Sequence, residues 1–223
     1  MNVCMSRRQM LVSSLSLLAM ASPALAQTVN PLYDDSGAKR DLSLLPPAES
    51  PVDFAITPAN LKKIPNSFHR QLVDYPGQEF AGTLVVDPEN RHLYHVMENH
   101  QAMRYGVGVG RAGFAWAGDA QIGMKRRWPR WLPPVEMVQR DKNAEKWANG
   151  MPGGPDNPLG ARALYLYANG ADTLYRIHGT NDPSSIGKAM SSGCIRMLNQ
   201  DIAELYLRVP VGSKVVVLPS QGV

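Results

Sequence analysis

Cysteine is almost absent from this chain: its 223 residues include two, Cys4 and Cys194. A framework of several disulfides is excluded from the outset. Charge of one sign is lacking as well. Lys and Arg number 23 against 19 Asp and Glu, a formal net charge of +4, which does not point to nucleic acid. Long apolar runs are missing too. The run from Leu11 to Met20 is short and broken by serines, far below the roughly 18–20 residues that span a bilayer. No internal repeat is present.

What the chain does have begins with a processing segment, Met1 to Ala26. Arg7 and Arg8 form a charged start, the Leu11–Met20 run follows, and Ala24-Leu25-Ala26 matches an A-x-A cleavage site. Ser6-Arg7-Arg8-Gln9-Met10-Leu11 resembles a twin-arginine export signal; an ordinary Sec signal carrying two arginines fits equally, and the export route stays open. Cleavage after Ala26 takes Arg7, Arg8 and Cys4 away. The 23 basic residues become 21 against 19 acidic ones, about +2. Cys194 is then alone, and an unpaired thiol in an oxidising compartment is a liability unless its reactivity is used. The bland alternative is a buried thiol acting as a small hydrophobe. Residues 27–67, with Pro46-Pro47, Pro51 and Pro58, read as an extended, Pro-rich spacer. Residues 68–220 are enough for one domain with its own core.

The stretch from His178 to Met197 carries the chemistry. It holds His178-Gly179-Thr180-Asn181 and then Ser191-Ser192-Gly193-Cys194-Ile195-Arg196-Met197. A thiol attacks carbonyl carbon as a thiolate and needs a nearby base, a task that suits imidazole. Sixteen positions separate His178 from Cys194, too far for one helix face but natural for two strand ends joined by a loop. Gly193 permits a tight turn that aims amide N–H groups at an oxyanion. Arg196, two residues past the thiol, shares its side of an extended chain and suits a carboxylate; bracing the loop against an acid or a carbonyl is the alternative.

These two strings resemble the signature of the L,D-transpeptidase (YkuD-like) catalytic domains, bacterial cell-wall enzymes that cleave and rejoin peptidoglycan stem peptides. The likeness extends through Gly82-Thr83-Leu84-Val85-Val86-Asp87, Gly108-Val109-Gly110, Trp128-Pro129-Arg130-Trp131 and Asn157-Pro158-Leu159-Gly160, and covers roughly 75–218. Many members carry a second histidine before the Gly-Cys pair, where this chain has Ser192, as in a common Gram-negative variant. The resemblance implies a periplasmic enzyme with Cys194 as nucleophile and His178 as base, oriented by the Gly179 carbonyl. Backbone N–H groups of Ser192, Gly193 and Cys194 would line the oxyanion hole, and Arg196, Asn181, Trp128 and Trp131 would contact substrate. No metal or cofactor is implied. Stem peptides are the expected partners, with an outer-membrane lipoprotein as one candidate acceptor. Hydrolysis at the same site and a non-catalytic peptidoglycan-binding module are the alternatives.

The rest reads as mainly β, a sandwich or open barrel with short helices and a long cap. Residues 82–88 and 91–97 suggest a hairpin. His92 and His95, three apart in a strand, point to opposite faces and do not form a metal pair. Gly108-Val109-Gly110-Arg111-Ala112-Gly113 matches G-x-G-x-x-G, but no helical period follows, so a dinucleotide site is rejected. Lys125 to Trp131 is basic and aromatic, and reads either as a solvated loop or as part of a substrate-capping insertion over 115–160, with a short helix after Pro133-Pro134. Asn169-Gly170 marks a hairpin turn. Beyond it, alternation groups Leu174, Arg176 and His178 on one face. Ile202, Leu205, Tyr206 and Val209 recur with helical period, Asn199 or Asp201 is the expected cap, and residues 215–218 form a last buried strand.

Overall fold

A computed structural model describes residues 45–110, 116–191 and 193–220. The processing segment, residues 27–44 of the spacer, residues 111–115, Ser192 and residues 221–223 lie outside the described residues.

Short apolar runs bounded by turns produce the early strands. β1 (Gln71–Asp74), β2 (Leu84–Asp87), β3 (His92–Met97) and β4 (Gln101–Gly106) pair as antiparallel neighbours in the order β1-β4-β3-β2. The expected hairpin is β2–β3, with Leu84 opposite His95 and Asp87 opposite His92. β5 (Val109–Gly110) leaves this sheet to pair with β9 (Ala189–Ser191). β6 (Gly118–Arg127) and β7 (Arg162–Ala168) are antiparallel, and β8 (Ala171–His178) completes a hairpin with β7. Asn169 and Gly170 both take positive φ, 52° and 77°, as a two-residue hairpin turn requires. β10 (Ile195–Arg196) runs parallel to β8, and β11 (Lys214–Val217) lies between β2 and β6.

Among the described residues, nine strands thus form one mixed sheet, β1-β4-β3-β2-β11-β6-β7-β8-β10. The sheet curls. Gly108, just past β4, exchanges backbone hydrogen bonds with Arg196 of β10 at 2.9 and 2.8 Å, which brings the far strand back towards the near end. Apolar residues from β2, β3, β4, β6, β7, β8, β10 and β11 face one core. The result is a mainly β, open-barrel fold. Helix α3 (Asn199–Arg208) packs Ile202 and Leu205 into that core, with Val209 just beyond it. No helix among the described residues is long and apolar enough to cross a membrane.

Four expectations need correction. The cap does not begin at 115, because Gly118–Arg127 is a central strand. Its inward residues Ala120 and Ile122 are buried, and Lys125 sets its Nζ over the Tyr206 ring, 4.1 Å from the centroid, while donating to the Tyr206 and Val209 carbonyls at 2.6 and 2.7 Å. That cation closes the C-terminal end of α3, where the helix dipole favours positive charge. The excursion between β6 and β7 is therefore 128–161, with short helices α1 (Val135–Arg140) and α2 (Lys142–Glu145).

The domain boundary at 68 is also too late. Ile64 is buried, Glu49 pairs with Pro129, and the Trp128 indole N–H donates to Asp53 at 2.9 Å. Residues 45–67 are part of the packed unit. The cap of α3 is neither Asn199 nor Asp201: the N-cap position is Leu198, without a side-chain bond. Finally, Leu174 breaks the alternation of β8, since it takes φ 64° at an irregularity in the register.

Candidate active site

Ile177 and Ile195 are paired neighbours on β8 and β10, and both are buried in the core, 0% and 5% exposed. Side chains alternate along strands, so His178 and Arg176 on β8, and Cys194 and Arg196 flanking Ile195, occupy the opposite side. The parallel register sets Arg196 beside His178. Two residues distant in sequence, the imidazole and the thiol, are thereby carried on adjacent strand ends.

His178 is buried, and its Nδ1–H donates to the Gly179 carbonyl at 2.6 Å. A carbonyl only accepts, so this bond puts the ring proton on Nδ1 and leaves Nε2 as the basic nitrogen. Burial, with help from the Arg196 and Arg176 cations, pushes the imidazole down to about 4. The ring is therefore neutral across the mildly acidic and neutral range. Cys194 is half-buried, and burial pushes its thiol up. The Arg176 guanidinium, the Arg176 backbone N–H and the Arg196 guanidinium all draw it back down. The resting pair is thiol and imidazole, not thiolate and imidazolium.

Gly193 is buried and takes φ 115°, a conformation side-chain-bearing residues rarely adopt. It turns the chain immediately before the thiol. On the other side of the site, Asn199 accepts from the Ala161 and Thr180 N–H groups at 2.9 and 3.2 Å. A Cβ on Gly179 or Gly160 would overlap that same Asn199 oxygen. The two glycines and the amide thus lock the loop after His178 onto the start of α3.

The other expected site residues are distributed differently. Arg196 is half-buried at the site, with its backbone tied to Gly108. Asn181 is exposed, and its Nδ2 donates to the Asp156 carbonyl at 2.7 Å, which braces the loop against the 128–161 excursion. Trp131 is half-buried and its backbone pairs with Met151. Trp128 does not line a groove. It is 1% exposed, edge-on to Phe54 and hydrogen-bonded to Asp53, so a substrate has no surface of it to touch. Asn157 is fully buried, and its Nδ2 donates to the Pro129, Met151 and Pro152 carbonyls at 2.9–3.3 Å. It fastens the excursion, and Leu159, two residues on, offers a backbone hydrogen bond that favours the protonated His178 ring, a pull that burial outweighs.

The fold and this thiol–imidazole pair define a class, and the comparisons identify it. The chain belongs to the L,D-transpeptidase catalytic domain family, whose model matches residues 81–217. The probable L,D-transpeptidase YbiS of Escherichia coli is 33% identical over 145 residues, covering 63% of this chain and 45% of that protein. The putative L,D-transpeptidase YqjB of Bacillus subtilis is 33% identical over 144 residues, covering 64% of this chain and 72% of its own length. A solved Brucella melitensis structure, named a probable carnitine operon oxidoreductase caia, is 48% identical and covers 71% of this chain and 99% of that one, with a TM-score of 0.48. The match spans less than half the length of YbiS.

Proposed function

We propose that this protein is an exported peptidoglycan L,D-transpeptidase acting through Cys194 and His178. The observation that carries the reading is the tautomer of a buried, neutral His178, fixed by the Gly179 carbonyl, on the strand beside Cys194. Nε2 takes the thiol proton as sulfur attacks the carbonyl carbon of the third stem residue. The tetrahedral oxyanion is held by backbone N–H groups of Ser192, Gly193 and Cys194, each worth about 3–4 kcal/mol in comparable sites. The C–N bond to D-Ala breaks, the leaving amine takes the proton from His178, and a thioester remains on Cys194. An acceptor amine then attacks the thioester, gives up a proton and frees the thiol.

The acceptor is an amine of another stem, which gives a 3→3 cross-link, or a lysine of an outer-membrane lipoprotein. Arg196 grips a substrate carboxylate, and Asn181 and Trp131 border the entrance. Export rests on the Met1–Ala26 segment and places the enzyme in the periplasm. Incubating the purified protein with tetrapeptide muropeptides and weighing the products tests the activity. D-Ala release with a cross-linked product is expected. Release without a cross-link would assign a carboxypeptidase, and no release would overturn the proposal.

A further inference from the structure

Asp172 and Arg176 lie four positions apart on β8. Four residues of extended strand span about 13 Å. The two side chains nevertheless meet as a two-pronged ion pair, Nη1 to Oδ1 at 2.7 Å and Nη2 to Oδ2 at 2.8 Å. An irregularity closes the gap. The register passes from Tyr165 opposite Arg176 to Tyr167 opposite Asp172, so Thr173, Leu174 and Tyr175 together face Leu166. Leu174 takes φ 64°, a region that disfavours any residue with a Cβ. The kink is held at several points: Asp172 accepts the Leu174 N–H at 2.8 Å, and the Thr173 hydroxyl donates to the Leu166 carbonyl at 2.6 Å.

The guanidinium this builds is fixed in place. It lies over the Tyr165 ring at 4.1 Å, and the Arg176 side chain is 13% exposed. With its prongs on Asp172, it is not a free clamp for a substrate carboxylate. The β8–β10 register, carried back one residue from Ile195 beside Ile177, sets Cys194 beside Arg176 on the side away from the core.

We propose that the kinked Asp172–Arg176 pair is an electrostatic support built beside the nucleophile: Arg176 stabilises the Cys194 thiolate as it forms, and Asp172 holds the guanidinium there while moderating its pull. Arg176 is a positioning residue in this scheme, and the inference rests on the reading of Cys194 as the reactive thiol. The charged and titratable groups acting on Cys194 are Arg176 and Asp172 of β8 and Arg196 of β10, with His178 and Tyr175 as neighbours. Among them Arg176 is the strongest charge acting on the thiol, whereas on His178 it stands behind Arg196.

The pH dependence of iodoacetamide alkylation, read on the Cys194 peptide by mass spectrometry, tests this without reference to any cell-wall substrate. Arg176→Gln should move the alkylation midpoint upward by about one pH unit, roughly tenfold slower labelling at neutral pH. Arg176→Lys, which keeps charge but loses the fork, should recover part of the loss. Asp172→Asn should move the midpoint downward. An unchanged midpoint in a folded Arg176→Gln protein overturns the proposal, as does a raised KM for donor with labelling unaltered, which would make Arg176 a substrate contact. If Arg176→Gln does not fold by circular dichroism, Asp172→Asn decides, and an unmoved midpoint there is equally fatal. Absence of D-Ala release in the unaltered protein would overturn the proposed function and leave the alkylation result standing.

Discussion

His178 and Asp201 are buried to the same depth, each 4% exposed, and burial drives both toward their neutral forms. The imidazole falls to about 4, while the Asp201 carboxyl rises to about 6. Their surroundings differ in kind. Asp201 sits on α3 near Arg70 at 3.7 Å, next to a cluster in which Tyr105 donates to Glu204 and Glu204 pairs with Arg208. There, charges are matched and the groups are structural. At His178 the nearby charges are the Arg176 and Arg196 cations, and the Gly179 carbonyl accepts from Nδ1. Equal burial gives an acid set among matched charges in one place and a neutral imidazole beside two cations, on the strand next to Cys194, in the other.

The largest expected effect breaks the catalytic side alone. Cys194→Ala should abolish D-Ala release while circular dichroism and melting stay close to those of the unaltered protein, since the change in volume is small. Retained turnover would remove the covalent step. Next, His178→Gln should lower acylation near neutral pH by about 10²–10⁴-fold, the usual contribution of a positioned base; a stopped-flow acylation rate equal to that of the unaltered enzyme would mean that another group takes the proton.

The comparison itself predicts opposed pH effects on stability. Between about 4 and its ordinary 6.5, His178 binds fewer protons folded than unfolded, so its contribution is present above 6.5 and lost as pH falls towards 4. Asp201 binds more protons folded than unfolded between its ordinary 3.8 and about 6, so its contribution is present at low pH and lost as pH rises through 6. Each amounts to on the order of 3 kcal/mol, and in the unaltered protein they largely cancel. Urea midpoints across pH 4–6.5 should then fall with rising pH in His178→Gln and rise with pH in Asp201→Asn. Parallel slopes in the two variants would mean that burial does not act on the pair as described.

How much of this was legible beforehand depends on whether a signal is local. Cys194 stands out because the chain has so little cysteine, and His178 because it ends an apolar alternation after an Asn-Gly turn. The α3 stripe of Ile202, Leu205 and Val209 is likewise a local period. β6 was hidden: its inward Ala120 and Ile122 are spaced among Asp, Gln, Lys and Arg, and Lys125, whose ammonium binds the end of α3, reads as a surface charge. The packing of residues 45–67 was hidden too, because Asp53 meets Trp128 across 75 positions. Asp172 and Arg176 do not pair in a regular strand, so the kink at Leu174 had to be seen first. Asn199 looks like a helix cap and spends its side chain on the backbone of a different loop.

A smaller effect sharpens the assignment of Arg196. Arg196→Lys keeps the charge and loses the planar fork, so KM for the tetrapeptide donor should rise several-fold with little change in melting temperature. A fall of several degrees with KM unchanged would make Arg196 a brace and place the carboxylate grip elsewhere.

If Cys194 forms a thioester with an acyl donor as proposed, a carbapenem, whose strained β-lactam carbonyl a thiolate can open, should leave an acyl adduct on it. Intact-protein mass spectrometry after carbapenem treatment reads this directly. The account predicts one drug-mass increment on the unaltered protein, mapped to the Cys194 peptide and absent from Cys194→Ala. An unaltered protein that gains no mass, or an increment that survives in Cys194→Ala, would contradict it.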